Sequence, residues 1–512
     1  AMAVSMDVLP DGVETLIDTL CQLLPLLENP LQNSPISSLL LFFLDRLSVQ
    51  PFYFDCTLQL LTSIASLSPQ AAADVHSLLV SYNSPMISWT LLLTSLQQTL
   101  RQLLQSRSPL CPDDVSGLTA ILKLLAAVLQ DPFSRQSLLE DTRFDFLSLC
   151  LQLLFQPLPI ELIGALCDVL ARCAEDKARA RVIWSHLESN CTSFGSGVML
   201  GVNGSNLSIR NFRQLYQTKE KPSYHYPFTV PFIHLLSTLL STLPADSLFQ
   251  SDSFLPLLDF VAQDILLDTN SCPSSSDGDR WLLLSHVFEF LAIAVLPFID
   301  QSSLLWGKTC MHALLLELTA PSPLLDSILS VQQTFLPPYP TSTSSQGIRP
   351  VVQAITMSSR LLSELLQLPS LSSSQEPVSL AQHLLAKPQT TIRLCLRVTQ
   401  ASQPSLQSVT METLRLIASQ VSPATFVSFF SSFPEELALI RTACLQILHR
   451  VIIQKDEKGD VSTCAHCLLR LLSQQASVSS SLTSLLLDLP ATLHPHGIFR
   501  STLLDELCVL IT

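Results

Sequence analysis

The sequence predicts an all-α protein, and three observations carry that prediction. Apolar residues recur three and four apart in stretch after stretch, which is the period of one helix face. Glycine is scarce, 12 residues in 512, and leucine dominates a hydrophobic content of 47%, so helix is favoured over turn-rich sheet. Prolines sit at the breaks between periodic stretches, where a missing N–H costs nothing.

In chain order, helices are predicted near residues 12–27, 34–48, 53–66, 70–82, 86–105, 113–130, 143–155, 159–173 and 176–188. A second set falls near 228–243, 253–267, 280–298, 309–319, 323–335, 350–367 and 377–386. The last falls near 389–400, 405–420, 423–431, 434–453, 460–474, 478–488 and 499–511. The stretch NSPMISWTLLLTSLQQTLRQLL, residues 83–104, shows the rule. Its Trp89, Leu92, Leu93, Leu96, Leu100, Leu103 and Leu104 share one face, opposite Thr90, Thr94, Gln97, Gln98, Arg101 and Gln102. A bilayer core offers those polar side chains no partners, which argues against a lipid span. Pro112 with Asp113 and Asp114 opens the next helix, a proline in the first turn and carboxylates at the positive end. Pro35, Pro69, Pro85, Pro423 and Pro434 mark other breaks. The longest apolar run, Trp281 to Phe298, is interrupted by His286 and Glu289 and falls short of the ~20 residues of a span, so it reads as a core helix.

Three stretches are expected to be loop insertions. Residues 190–225 hold Gly195, Gly197, Gly201 and Gly204 with the basic Arg210, Arg213, Lys219 and Lys221; the others are 269–279, Ser-rich, and 336–348, Pro/Ser-rich. Composition is alike on both sides of each, so one continuous segment over residues 1–512 is expected. About twenty helices on short loops would pack as antiparallel pairs and stack into an α-solenoid of the HEAT or armadillo kind, although no strict consensus repeat is visible. The final STLLDELCVLIT, residues 501–512, still presents Leu503, Leu504, Leu507, Val509, Leu510 and Ile511 to a missing partner, so a longer parent chain is expected.

Composition narrows the function. A net charge of −14 has the wrong sign for a nucleic-acid binder, which needs a basic footprint. The 14 cysteines are scattered, with Cys56, Cys150, Cys167 and Cys395 set among leucines, as small hydrophobes in a reducing compartment. Cys464-Ala-His-Cys467 lacks the second ligand pair of a zinc site and the leading strand of a thioredoxin site. His494 and His496 have no acid or cysteine cluster beside them, and the glycines of GSGVMLGVNGSN lack phosphate-loop spacing. Asp259 and Asp264, like Glu435 and Glu436, read as solvated helix faces. No catalytic, cofactor-binding or metal residue is expected, nor any buried polar cluster that would perturb a pKa.

A series of short elements carries a family resemblance. Ile87-Ser88-Trp89 leads to leucines and Leu100-Arg101; Gly117-Leu118-Thr119-Ala120-Ile121-Leu122 follows; then Ile183-Trp184-Ser185-His186-Leu187-Glu188. YPFTVPFIHLL runs from Tyr226 to Leu236, and EELALIRTACLQIL starts at Glu435. In this order they resemble the largest inner-ring scaffold nucleoporins of the nuclear pore complex. Few residues separate Leu79 from Trp89, so the branch without an SH3-like insertion fits. The acid-rich helix end that usually precedes Tyr-Pro is missing, Ser223-Tyr224-His225 standing in its place.

The resemblance implies a right-handed HEAT/armadillo-like superhelix in a multi-copy assembly at the nuclear envelope. It implies a structural scaffold that binds short motifs of linker nucleoporins in inter-helix grooves, packs on other inner-ring nucleoporins and supports nucleocytoplasmic transport of mRNA and protein. It implies no enzyme activity, cofactor, nucleic acid or membrane span. Partner-contacting residues are unassigned, and Trp89, Trp184, Tyr226 and Phe232 are expected to be structural, lying on or beside apolar stripes. The alternative is a nuclear transport receptor or trafficking adaptor of the same architecture. Such receptors present acidic runs on the inner face, whereas the densest run here is KDEKGD, Lys455 to Asp460.

Overall fold

A computed structural model describes residue 19 and residues 54–81, 87–106, 110–156, 158–191, 209–244, 254–268, 277–299, 323–333, 345–368, 380–400, 404–454 and 460–476. Among the described residues all regular structure is helical, in twenty helices. The expected helices near 12–27, 34–48, 309–319, 478–488 and 499–511 lie outside, or almost entirely outside, the described residues. The helices fall into two compact units, Ala1–Ser253 and Phe254–Thr512.

The first unit holds α1 (Phe54–Ala65), α2 (Pro69–Ser81), α3 (Trp89–Ser106), α4 (Pro112–Val128), α5 (Pro132–Glu140), α6 (Phe146–Leu154), α7 (Ile160–Cys173) and α8 (Lys177–Cys191). Helix α9 runs from Ile209–Leu215 through a π-helical turn, Tyr216–Glu220, into Lys221–Ser223, and α10 spans Thr229–Thr242. Stacking proceeds in steps of three: α1 packs on α4, α4 on α7, α7 on α10, with α2 on α5 and α3 on α6 alongside. The layers are therefore triplets of the armadillo kind, in which one helix is covered by neighbours before, after and beside it. Sequence accounts for this. Ten of the fourteen residues of α7 are buried, and a helix that is apolar nearly all round needs cover on more than one face.

Two elements depart from expectation. Helix α5 was not anticipated, because only Ser134 and Leu138 of its nine residues are buried and no stripe stands out. Its start is set by Asp131, whose carboxylate accepts from Ser134 N at 2.7 Å, and by Pro132 in the first turn. Residues 209–223, expected to be loop, are helical because Phe212 and Tyr216, one turn apart, are both buried. The glycine cluster at 195–204 lies outside the described residues, as do 269–276 and 336–344 of the other two expected insertions, whose last residues, 277–279 and 345–348, are instead helical.

The second unit holds α11 (Phe254–Asp259, continuing as π-helical Phe260–Leu266), α12 (Asp277–Ile299), α13 (Pro323–Gln332), α14 (Ser345–Gln367), α15 (Leu380–Ala386) and α16 (Pro388–Gln400). It continues with α17 (Pro404–Gln420), α18 (Pro423–Ser432), α19 (Pro434–Gln454) and α20 (Asp460–Ala476). Its central row is α12, α14, α17, α20, each on the next, with α13, α16 and α19 as a second row. Helix α12 is long and apolar enough to cross a membrane. It instead packs on α11 and α14, burying Leu283, Leu284, Val287, Phe288, Phe290 and Leu291. His286 and Glu289 pair at 3.5 Å on its half-exposed side.

The central-row helices share a four-residue signature: polar, two aliphatic or aromatic, then small. It reads Gln59-Leu-Leu-Thr in α1, Lys123-Leu-Leu-Ala in α4, Asp168-Val-Leu-Ala in α7 and His234-Leu-Leu-Ser in α10. In the second unit it reads Glu289-Phe-Leu-Ala, Arg360-Leu-Leu-Ser, Arg415-Leu-Ile-Ala and Arg470-Leu-Leu-Ser. The middle pair is buried in every case except Leu471, which is half-buried, and the polar residue is exposed or half-exposed. Two buried side chains anchor each helix, and a small residue beside them lets the next helix approach. Glutamines tie the ends: Gln130 donates to the carbonyl of Ala65 at the end of α1, Gln420 to Leu366 at the end of α14, and Gln475 to Ala418 of α17 at 3.0 Å. Each satisfies a carbonyl that its own helix leaves without an intrahelical partner or shares with it.

Candidate functional site

The junction of α7, α9 and α10 is the most constrained site in the first unit. Phe212 of α9 sets its ring 5.2 Å from Phe228 and 4.7 Å from Phe232, and Tyr216 stacks on Tyr226 at 6.2 Å between centroids. The π-helical turn that follows carries one extra residue and leaves Glu220 fully buried. Its carboxylate accepts from the backbone N–H of Phe228 at 2.7 Å and of Thr229 at 3.1 Å, and from the Thr229 hydroxyl. A carboxyl group thus sits on the first turn of α10, satisfying N–H groups that have no intrahelical acceptor. Burial pushes the Glu220 carboxyl above the usual range, while the bonds to Thr229 and Phe228 oppose that rise.

Pro227 lies against α7 so closely that a Cβ on Gly164 would come 1.9 Å from its carbonyl oxygen. Only glycine fits there without moving one backbone. Glu220 thus brings an acid to this junction across Tyr224, which turns the chain at φ 54°. The sequence hid it because 190–225 looked like a loop; the signal was Phe212, Tyr216 and Glu220 at four-residue spacing.

The second unit contains a buried polar network that the helix patterns did not reveal, contrary to the expectation of none. Arg397 of α16, 4% exposed, donates to both the side-chain and backbone oxygens of Gln332 at the end of α13. The Gln332 amide in turn donates to Ser359 Oγ at 3.1 Å, to Ser358 Oγ, and to the carbonyl of Ile355, all on α14. Thr413 of α17 donates to Ser359 O at 3.2 Å, bringing in a fourth helix. Burial, helped by Arg393, lowers the Arg397 pKa to about 10.

The residues singled out by sequence are distributed, not convergent. Trp89 is buried beside His76 with ring centroids 5.8 Å apart, and Trp184, Tyr226 and Phe232 are also buried. Of the CxxC pair, Cys464 is half-buried 3.5 Å from Ser408 Oγ and Cys467 is exposed. Among the described residues no group of three His, Cys, Asp or Glu side chains could hold a metal ion. His494 and His496 lie outside the described residues. Arg213, Lys219 and Lys221, with Arg210, stand on α9.

Stacked helices whose polar interior groups serve as locks between helices define a helical scaffold. A family model described as nuclear pore complex scaffold, nucleoporins 186/192/205, matches residues 48–400, from just before α1 to the end of α16. The chain belongs to this family of large scaffold nucleoporins, which places it in the nuclear pore complex at the nuclear envelope and among other nucleoporins. No curated protein matches the chain.

Proposed function

We propose that this chain is a solenoid segment of the pore's inner ring that binds short motifs of linker nucleoporins in grooves between its helices. It supports nucleocytoplasmic transport by holding the ring together and carries out no chemistry of its own. Trp89, Trp184, Tyr226 and Phe232 maintain inter-helix packing in this view, without touching partners. The observation that supports it is the row-wise stacking within each unit, which leaves a polar edge open on each central-row helix while the apolar faces are used internally. Affinity capture from native cells followed by mass spectrometry tests it: inner-ring and linker nucleoporins are expected. Nucleotide-dependent recovery of a small nuclear GTPase in their place would establish a transport receptor.

A further inference from the structure

The open edge of the second unit's central row has a feature the first lacks. Its signature residues in α14, α17 and α20 are all arginines, Arg360, Arg415 and Arg470, 55 positions apart each time. Inter-helix hydrogen bonds fix the same register independently. Thr413 to Ser359 and Gln420 to Leu366 each span 54 positions, Cys464 to Ser408 spans 56, and Gln475 to Ala418 spans 57. The three arginines therefore stand at one level on successive helices, one per layer. Their side chains are open: 43% exposed for Arg360 and 34% for Arg415, with Arg470 an exposed residue.

We propose that Arg360, Arg415 and Arg470 form a docking rail for an extended segment of a partner polypeptide that carries an acidic side chain at every third position. The inference rests on the scaffold reading above and names the chemistry of one of its partners. Packed helices lie about 9–10 Å apart. A polyproline II chain advances about 9 Å in three residues and presents every third side chain on one edge. Acid spacing and arginine spacing then match without bending either chain. A strand, with its two-residue repeat of about 7 Å, does not offer that match, and a helix comes near it only at every seventh residue, about 10.5 Å.

Two acids share the edge, and neither cancels it. Glu412 holds Arg415 through Nε at 2.7 Å and Nη2 at 2.6 Å. A guanidinium has five N–H donors, so this pair orients Arg415 without exhausting it. Glu364 sits 4.0 Å from Arg360 and is largely buried; burial raises its pKa, Arg360 opposes, and Glu412 adds to the rise. In a chain of net charge −14, a row of three cations is a local reversal of sign, and charge complementarity selects an acidic occupant. Glu289 on α12 ends the row with the opposite charge, which gives the rail a direction. The corresponding residues of the first unit, Gln59, Lys123, Asp168 and His234, alternate in sign or are neutral and form no such row.

The test is fluorescence anisotropy on the whole chain with a labelled peptide of Glu-Pro-Ser repeats, against a peptide of equal composition with its glutamates contiguous. The spaced peptide is expected to bind more tightly, and more weakly as salt is added. Each of Arg360→Gln, Arg415→Gln and Arg470→Gln is expected to weaken it about 2- to 5-fold, the range of exposed ion pairs. The triple variant is expected to lose about 10-fold or more, with thermal unfolding unchanged; if it unfolds early, the exposed Arg470→Gln decides alone. Equal binding of the contiguous peptide or of RNA, full binding by the folded variants, or no binding at low ionic strength overturns the rail. Nucleoporin capture by the unmodified chain separates the two claims. Peptide failure with capture intact sinks the rail only, whereas peptide binding without capture sinks the inner-ring assignment.

Discussion

At the scale of single residues, Glu220 and Gly164 hold the Tyr-Pro junction by opposite means, one by filling a polar gap and the other by leaving a steric one. Replacing Glu220 with alanine strands two buried N–H groups and a hydroxyl, for an expected loss of about 1–3 kcal/mol in chemical denaturation. Because burial raises its folded pKa, the folded state holds the Glu220 proton more tightly than the unfolded chain does. Its contribution is therefore fully present below the unfolded carboxyl pKa and is lost as pH rises through the folded one. Glu220→Gln, always neutral, is expected to flatten that part of the stability–pH profile; an unchanged slope would show that the carboxyl is not perturbed. Gly164→Ala drives a methyl into the Pro227 carbonyl and is expected to cost about 1–3 kcal/mol. Cysteines give a further check. Burial raises the thiol pKa of Cys173 and Cys444 to about 12 and that of Cys150, Cys167 and Cys395 well above its usual value. Thiolate is the reactive form, so peptide mapping after brief native alkylation is expected to find Cys111 and Cys467 labelled and those five protected.

At the scale of elements, legibility followed amphipathic contrast. Helices with a wide apolar stripe, such as α3 and α14, were placed from their periodicity, whereas α5 offered two buried residues and was missed. The junction at Glu220 was illegible for another reason: residues 190–225 read as a glycine-bearing basic loop, which masked Phe212, Tyr216 and Glu220 at four-residue spacing. The Gln332–Arg397 network was hidden because its serines and threonine lie on faces that read as solvent-facing until four helices are brought together. It makes a distinct prediction. Gln332→Leu removes the Oε1 acceptor of a buried guanidinium and leaves it the backbone carbonyl of the same residue, for an expected cost of about 1–3 kcal/mol. Adding Arg397→Met should recover part of that loss, since a buried charge short of an acceptor costs more than an apolar side chain. Denaturant midpoints of the two single variants and the double give the coupling; strictly additive effects would show that the two side chains do not act together.

At the scale of the molecule, the family match ends at residue 400, yet the polar–aliphatic–small signature recurs in α17 and α20 beyond it, at the spacing set by α14. The same layer thus continues where family similarity fades, because stacking requires only two buried side chains and one small one per helix, and many sequences meet that requirement. For this reason the scaffold class was readable from one sequence while no repeat was visible in it. Layers that touch only their neighbours share stability locally, so a defect should spread no further than the helices it unlocks. Hydrogen exchange can follow this in the intact chain. Gln332→Leu is expected to accelerate amide exchange in α13, α14 and α16, which the network joins, and to a lesser degree in α17 through Thr413. Gly164→Ala is expected to do the same in α7 and α10 while leaving α13 to α16 at wild-type rates. If either substitution raised exchange uniformly over all twenty helices, the protein would be unfolding as one cooperative body, and the picture of locally coupled layers would be lost.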